Sequence, residues 1–213
     1  MVFKMTNNSD NFVKDLTIEK IKEFSYQEIM DLYKSLPSAD FEEMDGEYDS
    51  AMVGFTSEKS EKTSRWWLYD TEKGYWLGKA FTPSSNKQEL RGEGYNRWRI
   101  EGKEEHHMRL LTDISESLID GKPTFRLKYA SFKNDGGIVD MTDEVRKIRK
   151  GLYLCAGMAG DEKLPPDFFC LCGPVNEYQH HPEWVYGDET KRYTKKRGSY
   201  KNYPYPEDLA QNE

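Results

Sequence analysis

From Gly46 onward, apolar and polar residues alternate along most of the chain. A period of two is typical of β-strands that bury one face, because successive side chains point to opposite sides of a sheet. The alternating stretches, separated by turn residues at 72–74, 120–123 and 134–137, cover residues 46–55, 65–70, 74–82, 94–101, 106–119, 123–132, 137–148, 151–159 and 167–173. Eight or nine antiparallel strands in sequence order predict a mainly β protein, and such a meander most simply removes its edges by closing into a barrel.

The segment before Gly46 has helical spacing. Between Thr17 and Leu36, the apolar residues recur at intervals of three or four. Ser25 and Glu28 have the spacing of a capping box, which starts a helix, and Pro37 excludes the residue before it from helical geometry. The sequence therefore predicts one broken helix or two short helices ahead of the barrel.

Two apolar runs near the end of the strand region predict deeply buried strands. The first is Gly151–Gly160 and the second is Phe168–Pro174, joined by a polar turn that contains Pro165 and Pro166. The first run is rich in small residues, which leave room beside the backbone for something other than a neighbouring side chain. A cavity is therefore expected next to this strand.

Composition describes a folded protein with a polar surface. Apolar residues make up 36% of the 213 residues, aromatic residues 14%, and the mean hydropathy is −0.92, so burial depends heavily on the aromatic rings. The net charge of −7 and pI near 5.3 argue against nucleic acid as a partner, because phosphate binding needs a basic surface.

The distribution of apolar residues also bears on location. The first residues lack the apolar core of a signal peptide, and no run approaches the roughly 20 apolar residues of a membrane span, so we expect a cytoplasmic protein. Cys155, Cys170 and Cys172 lie in apolar, strand-like sequence, where buried free thiols are the expected state.

We expect a flexible N-terminus over residues 1–15, one helix-plus-barrel domain over residues 16–173 and a Tyr/Lys-rich extension over residues 174–213. Within the extension, residues 191–201 are basic and interleaved with tyrosines. Such a segment could contact nucleic acid or an acidic membrane surface. A solvated tail is the favoured interpretation, because glycine, serine and acidic residues dilute its charge.

Short motifs over residues 25–173 resemble a family of uncharacterised lipocalin-like proteins. These proteins begin with a Gly-x-Trp-x-Gly strand after a Leu-Pro helix exit, where this chain has Leu36-Pro37 and then Gly46-Glu-Tyr48-Asp-Ser50. The resemblance continues through residues 76–81 and 152–158 and into Pro165-Pro-Asp-Phe-Phe169. It implies a lipocalin-like barrel whose first strand seals one end beneath a cavity, and binding of a small hydrophobic molecule.

The strand 106–119 carries two candidate polar groups on its even face. His106 and Glu116 alternate there with Met108, Leu110 and other residues that should point inward. Because an isolated buried charge is costly, these groups would need partners or shifted pKa values. The plainer interpretation places both at the ends of the strand, in water.

Lys79 is a second candidate, since it lies in an apolar row with Tyr75, Leu77 and Phe81. It could bind an anionic headgroup or pair with Glu116, although a lysine in this setting more often extends its ammonium group to water.

Three functions remain open. The first is binding of a small hydrophobic molecule, with a predicted lining of Trp76, Asn96, Trp98, Met108, Thr112, Phe125 and Tyr129. The second is an isomerase, cyclase or lyase that works without a metal through His106, Glu116, Tyr95 and Lys79. The third is a packed barrel that acts as an interaction module.

Metal and haem are the weaker alternatives, and no cofactor is predicted. The pairs His106-His107 and His180-His181 invite a metal site with Cys170 and Cys172 as sulfur ligands, but the one-residue gap between the cysteines is shorter than zinc sites use. A single axial histidine, His106 or His181, could instead hold haem in a barrel.

Overall fold

In the computed structural model, the described residues are 13, 15–71, 74–83, 91–132, 134, 139, 141–159 and 165–181. Eight antiparallel strands form a closed barrel in sequence order, with β8 pairing with β1. The strands are β1 (Gly46–Gly54), β2 (Tyr75–Pro83), β3 (Arg91–Ile100), β4 (Lys103–Glu116), β5 (Pro123–Lys128), β6 (Met141–Arg149), β7 (Leu152–Ala159) and β8 (Asp167–Asn176). The predicted mainly β barrel with an N-terminal helical segment is confirmed.

Over residues 15–45, two short α-helices, α1 (Ile18–Lys22) and α2 (Tyr26–Ser35), and a 3-10 turn (Phe41–Glu43) precede the barrel. Ser25 and Glu28 form the predicted capping box, in which the backbone N–H of Ser25 donates to Glu28 Oε2 over 2.8 Å. None of the helices in the described part of the chain is long and apolar enough to cross a membrane.

The helices explain why β7 and β8 are apolar on both faces. Their inner faces join the barrel core through residues such as Cys155 and Phe169. Their outer faces carry Leu154 and Phe168, which pack with the helical Ile29 in a second cluster outside the barrel. The same arrangement buries Cys155 and Cys170, whereas Cys172 is exposed, so the expectation of a buried thiol is wrong for Cys172.

Aromatic rings fill part of the barrel interior. Phe125 contacts Phe41 and Phe81, with ring centroids 5.8 and 5.6 Å apart respectively. Tyr48 continues the cluster to Phe81 and Tyr153 at 5.7 and 5.8 Å. These rings fill one part of the interior, and none of them belongs to the wall of the cavity in the remaining part.

The prediction of a strand over residues 65–70 is wrong. Residues Glu58–Arg65 form a third helix, α3, and Trp66–Asp70 continue it as a π-helical turn. Ser57 caps this helix, and ion pairs join Glu58 to Lys62 and Glu61 to Arg65 on its surface. The helix places Trp66 and Trp67 over the open end of the barrel interior.

Two β-bulges change which side chains face inward. In β2, the register with β3 shifts between Trp76 and Gly78, so Trp76 and Lys79 point to the same side although three positions separate them. In β4, the register shifts beside Met108, whose φ is +55°. The inward face is even-numbered from Leu110 onward, whereas His106 points outward.

Some predicted features lie outside the described residues. They are residues 1–12 and 14 of the expected flexible start, the turn at 135–137, the basic segment 191–201 and the extension beyond residue 181. The expected domain limits stay a prediction, and β8 continues to Asn176, past the expected end of the barrel domain at residue 173.

Candidate functional site

A cavity of about 400 Å³ lies inside the barrel beneath the α3 segment. Apolar and aromatic side chains dominate its wall, and they come from the strands and from the helix above. The lining residues include Met52, Trp66, Trp67, Leu68, Trp76, Trp98, Met108, Tyr129, Val139, Met141, Met158 and Phe169. This size and character are typical of a small-molecule site.

A compact polar cluster forms part of this wall. Lys79 Nζ lies 3.0 Å from Asp143 Oδ2, and both side chains are almost completely buried. Lys79 also donates to Asn96 Oδ1 over 2.9 Å and to the hydroxyl of Tyr129. The Tyr129 hydroxyl in turn donates to Asp143 Oδ2 over 3.2 Å. The cluster therefore holds one positive and one negative charge in direct contact.

Neighbouring groups hold the cluster in one geometry. Asn96 Oδ1 also accepts from Trp76 Nε1 over 3.0 Å, and Asn96 Nδ2 donates to the Tyr129 hydroxyl and to the carbonyl of Met108. Burial, reinforced by Asp143, raises the pKa of Tyr129 well above its ordinary value, so this hydroxyl keeps its proton.

The Lys79 ammonium group is also surrounded by ring faces. It lies 5.2 Å from the ring centroid of Trp76, 5.0 Å from that of Tyr129 and 5.3 Å from that of Phe169. Cation–π attraction at such distances adds to the ion pair. Lys79 therefore does not extend its ammonium group to water, and its partner is Asp143 rather than Glu116 or solvent.

Asp167 fastens the helix over the cavity. Its carboxylate accepts from Ser60 Oγ at 2.7 and 2.6 Å and from Ser64 Oγ at 2.7 Å, both on α3. It also accepts from the backbone N–H of Thr56 over 3.1 Å. Because Asp167 begins β8, these bonds tie the β1–β2 connection to the rim of the barrel.

The structure divides the sequence-predicted site residues between two faces of the sheet. Trp76, Asn96, Trp98, Met108 and Tyr129 line the cavity together with Lys79. Some lining residues were not predicted from the sequence: Asp143, Gly157, Met52, Phe169 and the α3 residues. Asp143 has Met141 and Val145 two positions away on either side, and this spacing is the signal that assigns it to the inner face.

The other predicted site residues lie away from the cavity. Phe125 and Thr112 are buried, but neither belongs to the cavity wall. Glu116 is exposed at the last position of β4, as the plainer interpretation expected. Tyr95 and His106 belong to a separate cluster on the outer surface, so the inward orientation expected for His106 is wrong because of the bulge at Met108.

The outer cluster joins β1, β3 and β4 to the segment after β8. The ring of His106 stacks on that of Tyr95 at a centroid distance of 4.2 Å, and its Nδ1 lies 2.7 Å from His181 Nε2. Tyr95 donates to Glu47 Oε1 over 2.8 Å, and Arg97 donates to both carboxylate oxygens of Glu104.

Glu47, Glu104 and His106 place three possible metal-ligand atoms within 4.8 Å of one another. Arg97 already occupies both carboxylates of this group, since its Nε lies 2.7 Å from Glu104 Oε1 and 3.4 Å from Glu47 Oε2. Among the described residues, the disfavoured alternative of a metal site built from Cys170, Cys172 and the paired histidines is not assembled.

The burial of His106 beside His181 predicts a pH-dependent stability. Burial, with a contribution from His181, lowers the pKa of His106 below its ordinary value of 6.5, and Glu47 and Glu104 oppose this shift only in part. The folded state then binds fewer protons than the unfolded state, so the free energy of unfolding falls as the pH drops below about 6.5. Urea unfolding at about pH 7.5 and pH 5.5 measures this loss, which the variant His106→Gln should reduce. An unchanged loss in the variant would assign it to other groups.

No model of a known family matches the sequence, and no curated protein matches it. Among solved structures, the chain is similar to a protein from Thermomonospora curvata, with a TM-score of 0.51 and 14% identity over 78% of this chain and 97% of that one. Two bovine odorant-binding protein structures are similar at a TM-score of 0.34: a complex with undecanal, at 12% identity over 68% of this chain and 78% of that one, and a protein from nasal mucosa, at 11% over 66% and 77%. The first of these similarities supports the barrel fold alone.

Proposed function

We propose that this barrel binds a small, largely hydrophobic molecule in its cavity. The observation that carries the proposal is the cavity of about 400 Å³, with a mainly apolar wall and a few convergent polar groups. A barrel of eight strands can fill its interior with side chains or leave room for one small ligand. Here aromatic rings fill one part and leave the other open, which is the arrangement expected of a binding protein.

The state of the polar cluster favours binding over acid–base catalysis. A lysine ammonium group has three N–H donors, and the three contacts of Lys79 with Asn96, Tyr129 and Asp143 use all of them. Tyr129 keeps its proton because its pKa is raised. His106 and Tyr95 lie on the other face of the sheet, so they cannot act together with Lys79 on one substrate.

A neutral fluorescent dye tests the proposal. We expect N-phenylnaphthylamine to gain fluorescence on binding, to saturate at one equivalent per chain and to be displaced by methylnaphthalene. Dye that does not bind, or that binds without saturation and without displacement, would contradict the proposal.

The variant Met52→Trp links this binding to the cavity. Met52 lies on the wall, so the added ring occupies ligand space, and we expect the dye affinity to fall about tenfold or more. Val175→Trp is the matched control, because Val175 is exposed on the outside of the barrel. An equal effect of the two substitutions would place the dye outside the cavity.

A further inference from the structure

Asp143 has an open hydrogen-bonding position at the cavity. Its Oδ1 atom is buried and has no hydrogen-bond partner within the part of the chain that the structure describes. The side chain is only 2% exposed, and it belongs to the cavity wall. A buried carboxylate oxygen without a partner is costly, so this position calls for a donor.

The rest of the polar cluster offers no equivalent position. Asp143 Oδ2 receives Lys79 and Tyr129, and the N–H groups of Lys79 are all engaged. Asn96 uses both its oxygen and its nitrogen within the protein. Within this cluster, the atom that remains to accept a hydrogen bond from a ligand is therefore Asp143 Oδ1.

Gly157 lies next to this oxygen on the cavity wall. It pairs directly with Asp143 across β6 and β7 and lines the same cavity. A Cβ atom at this position would lie 3.5 Å from Asp143 Oδ1, with its other near contacts at 3.7 Å. Because glycine has no side chain, only the backbone of residue 157 lies on this side of Oδ1, which is itself almost completely buried, and an alanine would cover it further without a steric clash.

The charges near Asp143 select a neutral donor. A carboxylate would be repelled by Asp143 and also by Asp167, the second carboxylate on the wall. An ammonium group at Oδ1 would gain less than an unpaired carboxylate offers, because Lys79, 3.0 Å from the other oxygen, already pairs with Asp143 and repels a second cation. We infer that the ligand is a neutral, largely apolar molecule whose hydroxyl group donates to Asp143 Oδ1, an inference that rests on the proposed function.

Four probes of one ring system test this inference by displacement of N-phenylnaphthylamine: methylnaphthalene, naphthylmethanol, naphthoate and naphthylmethylammonium. A hydrogen bond to a charged acceptor corresponds to about ten- to hundredfold in affinity, so naphthylmethanol should bind at least about tenfold more tightly than methylnaphthalene. The two charged probes should bind more weakly than the alcohol.

Two variants assign the hydroxyl group to Asp143. Gly157→Ala should remove the preference for the alcohol over methylnaphthalene, measured as the ratio of the two affinities in the same variant, because the new methyl group covers Oδ1. Trp98→Phe is the control, since Trp98 Nε1 is another buried polar atom on the wall that has no partner among the described residues, but it is a donor. This variant should keep the preference.

The outcomes distinguish a failure of the proposed function from a failure of the hydroxyl inference. If neither the dye nor methylnaphthalene binds, the proposed function fails. If methylnaphthalene binds and the alcohol gains less than about threefold, or if a charged probe binds most tightly, the function stands and the hydroxyl inference is overturned. A preference that survives Gly157→Ala, or that disappears in Trp98→Phe, would also overturn the assignment to Asp143.

Discussion

Replacing Lys79 with methionine is expected to lower the free energy of unfolding by about 3–5 kcal/mol, the cost of leaving a buried charge without its partner. The methionine retains most of the apolar stem but removes the ammonium group that contacts Asp143, Asn96 and Tyr129. Among the described residues, Asp143 then keeps the hydrogen bond from Tyr129 but no positive partner for its buried carboxylate. Urea unfolding of both proteins at pH 7 measures the loss from the shift of the midpoint at an unchanged m-value.

A surface pair and a double variant show whether burial is the cause. Lys62 pairs with Glu58 over 3.1 Å on the exposed side of α3, and Lys62→Met should change the free energy of unfolding by less than about 1 kcal/mol. Combining Lys79→Met with Asp143→Leu should recover much of the loss, because apolar residues often replace a buried ion pair at little cost. Equal effects of the two lysine substitutions would contradict the buried pair.

The parts of the fold that follow from local periodicity could be predicted from the sequence. The eight strands and the helix break at Ser25 were predictable because period-two alternation and capping boxes are local signals. The buried character of β7 and β8 was predictable too, although its cause was not. Their outer faces are apolar because α2 covers them, which is a tertiary contact.

The helix over the cavity could not be distinguished from a strand. The run Trp66-Trp-Leu-Tyr69 is continuously apolar, and such a run has no period that separates the two structures. The preceding residues contain the better signal, since Ser57 and the i,i+4 pairs of Glu58–Arg65 favour a helix.

The assignment of inner and outer strand faces from the sequence was partly wrong, for a physical reason. A β-bulge inserts one residue and exchanges inner and outer positions beyond it, and alternation alone does not reveal where the bulge lies. In β4, the bulge at Met108 turns His106 outward. In β2, alternation alone assigns Trp76 and Lys79 to opposite faces. The bulge before Gly78 brings both side chains to the same side, which faces the cavity.

The bulge in β2 depends on glycine, and Gly78→Ala is expected to cost on the order of 4 kcal/mol or more in unfolding free energy. Gly78 has a φ of +155°, and a Cβ atom there would lie 1.9 Å from the carbonyl oxygen of Tyr48. Because the contact is with backbone, no side-chain rotation relieves it, and β1 and β2 must separate. Circular dichroism and urea unfolding measure the loss, and any folded fraction should bind N-phenylnaphthylamine poorly, since Lys79 follows Gly78 directly.

Gly157→Ala is the matched control for this substitution. Its Cβ atom makes contacts no closer than 3.5 Å, so the same chemical change should lie within about 1 kcal/mol of the parent protein. Comparable destabilisation of the two variants would show that the cost belongs to losing a glycine from the barrel in general. A loss confined to Gly78→Ala would assign it to the close approach of β1 and β2, and so to the bulge that turns both Trp76 and Lys79 into the cavity.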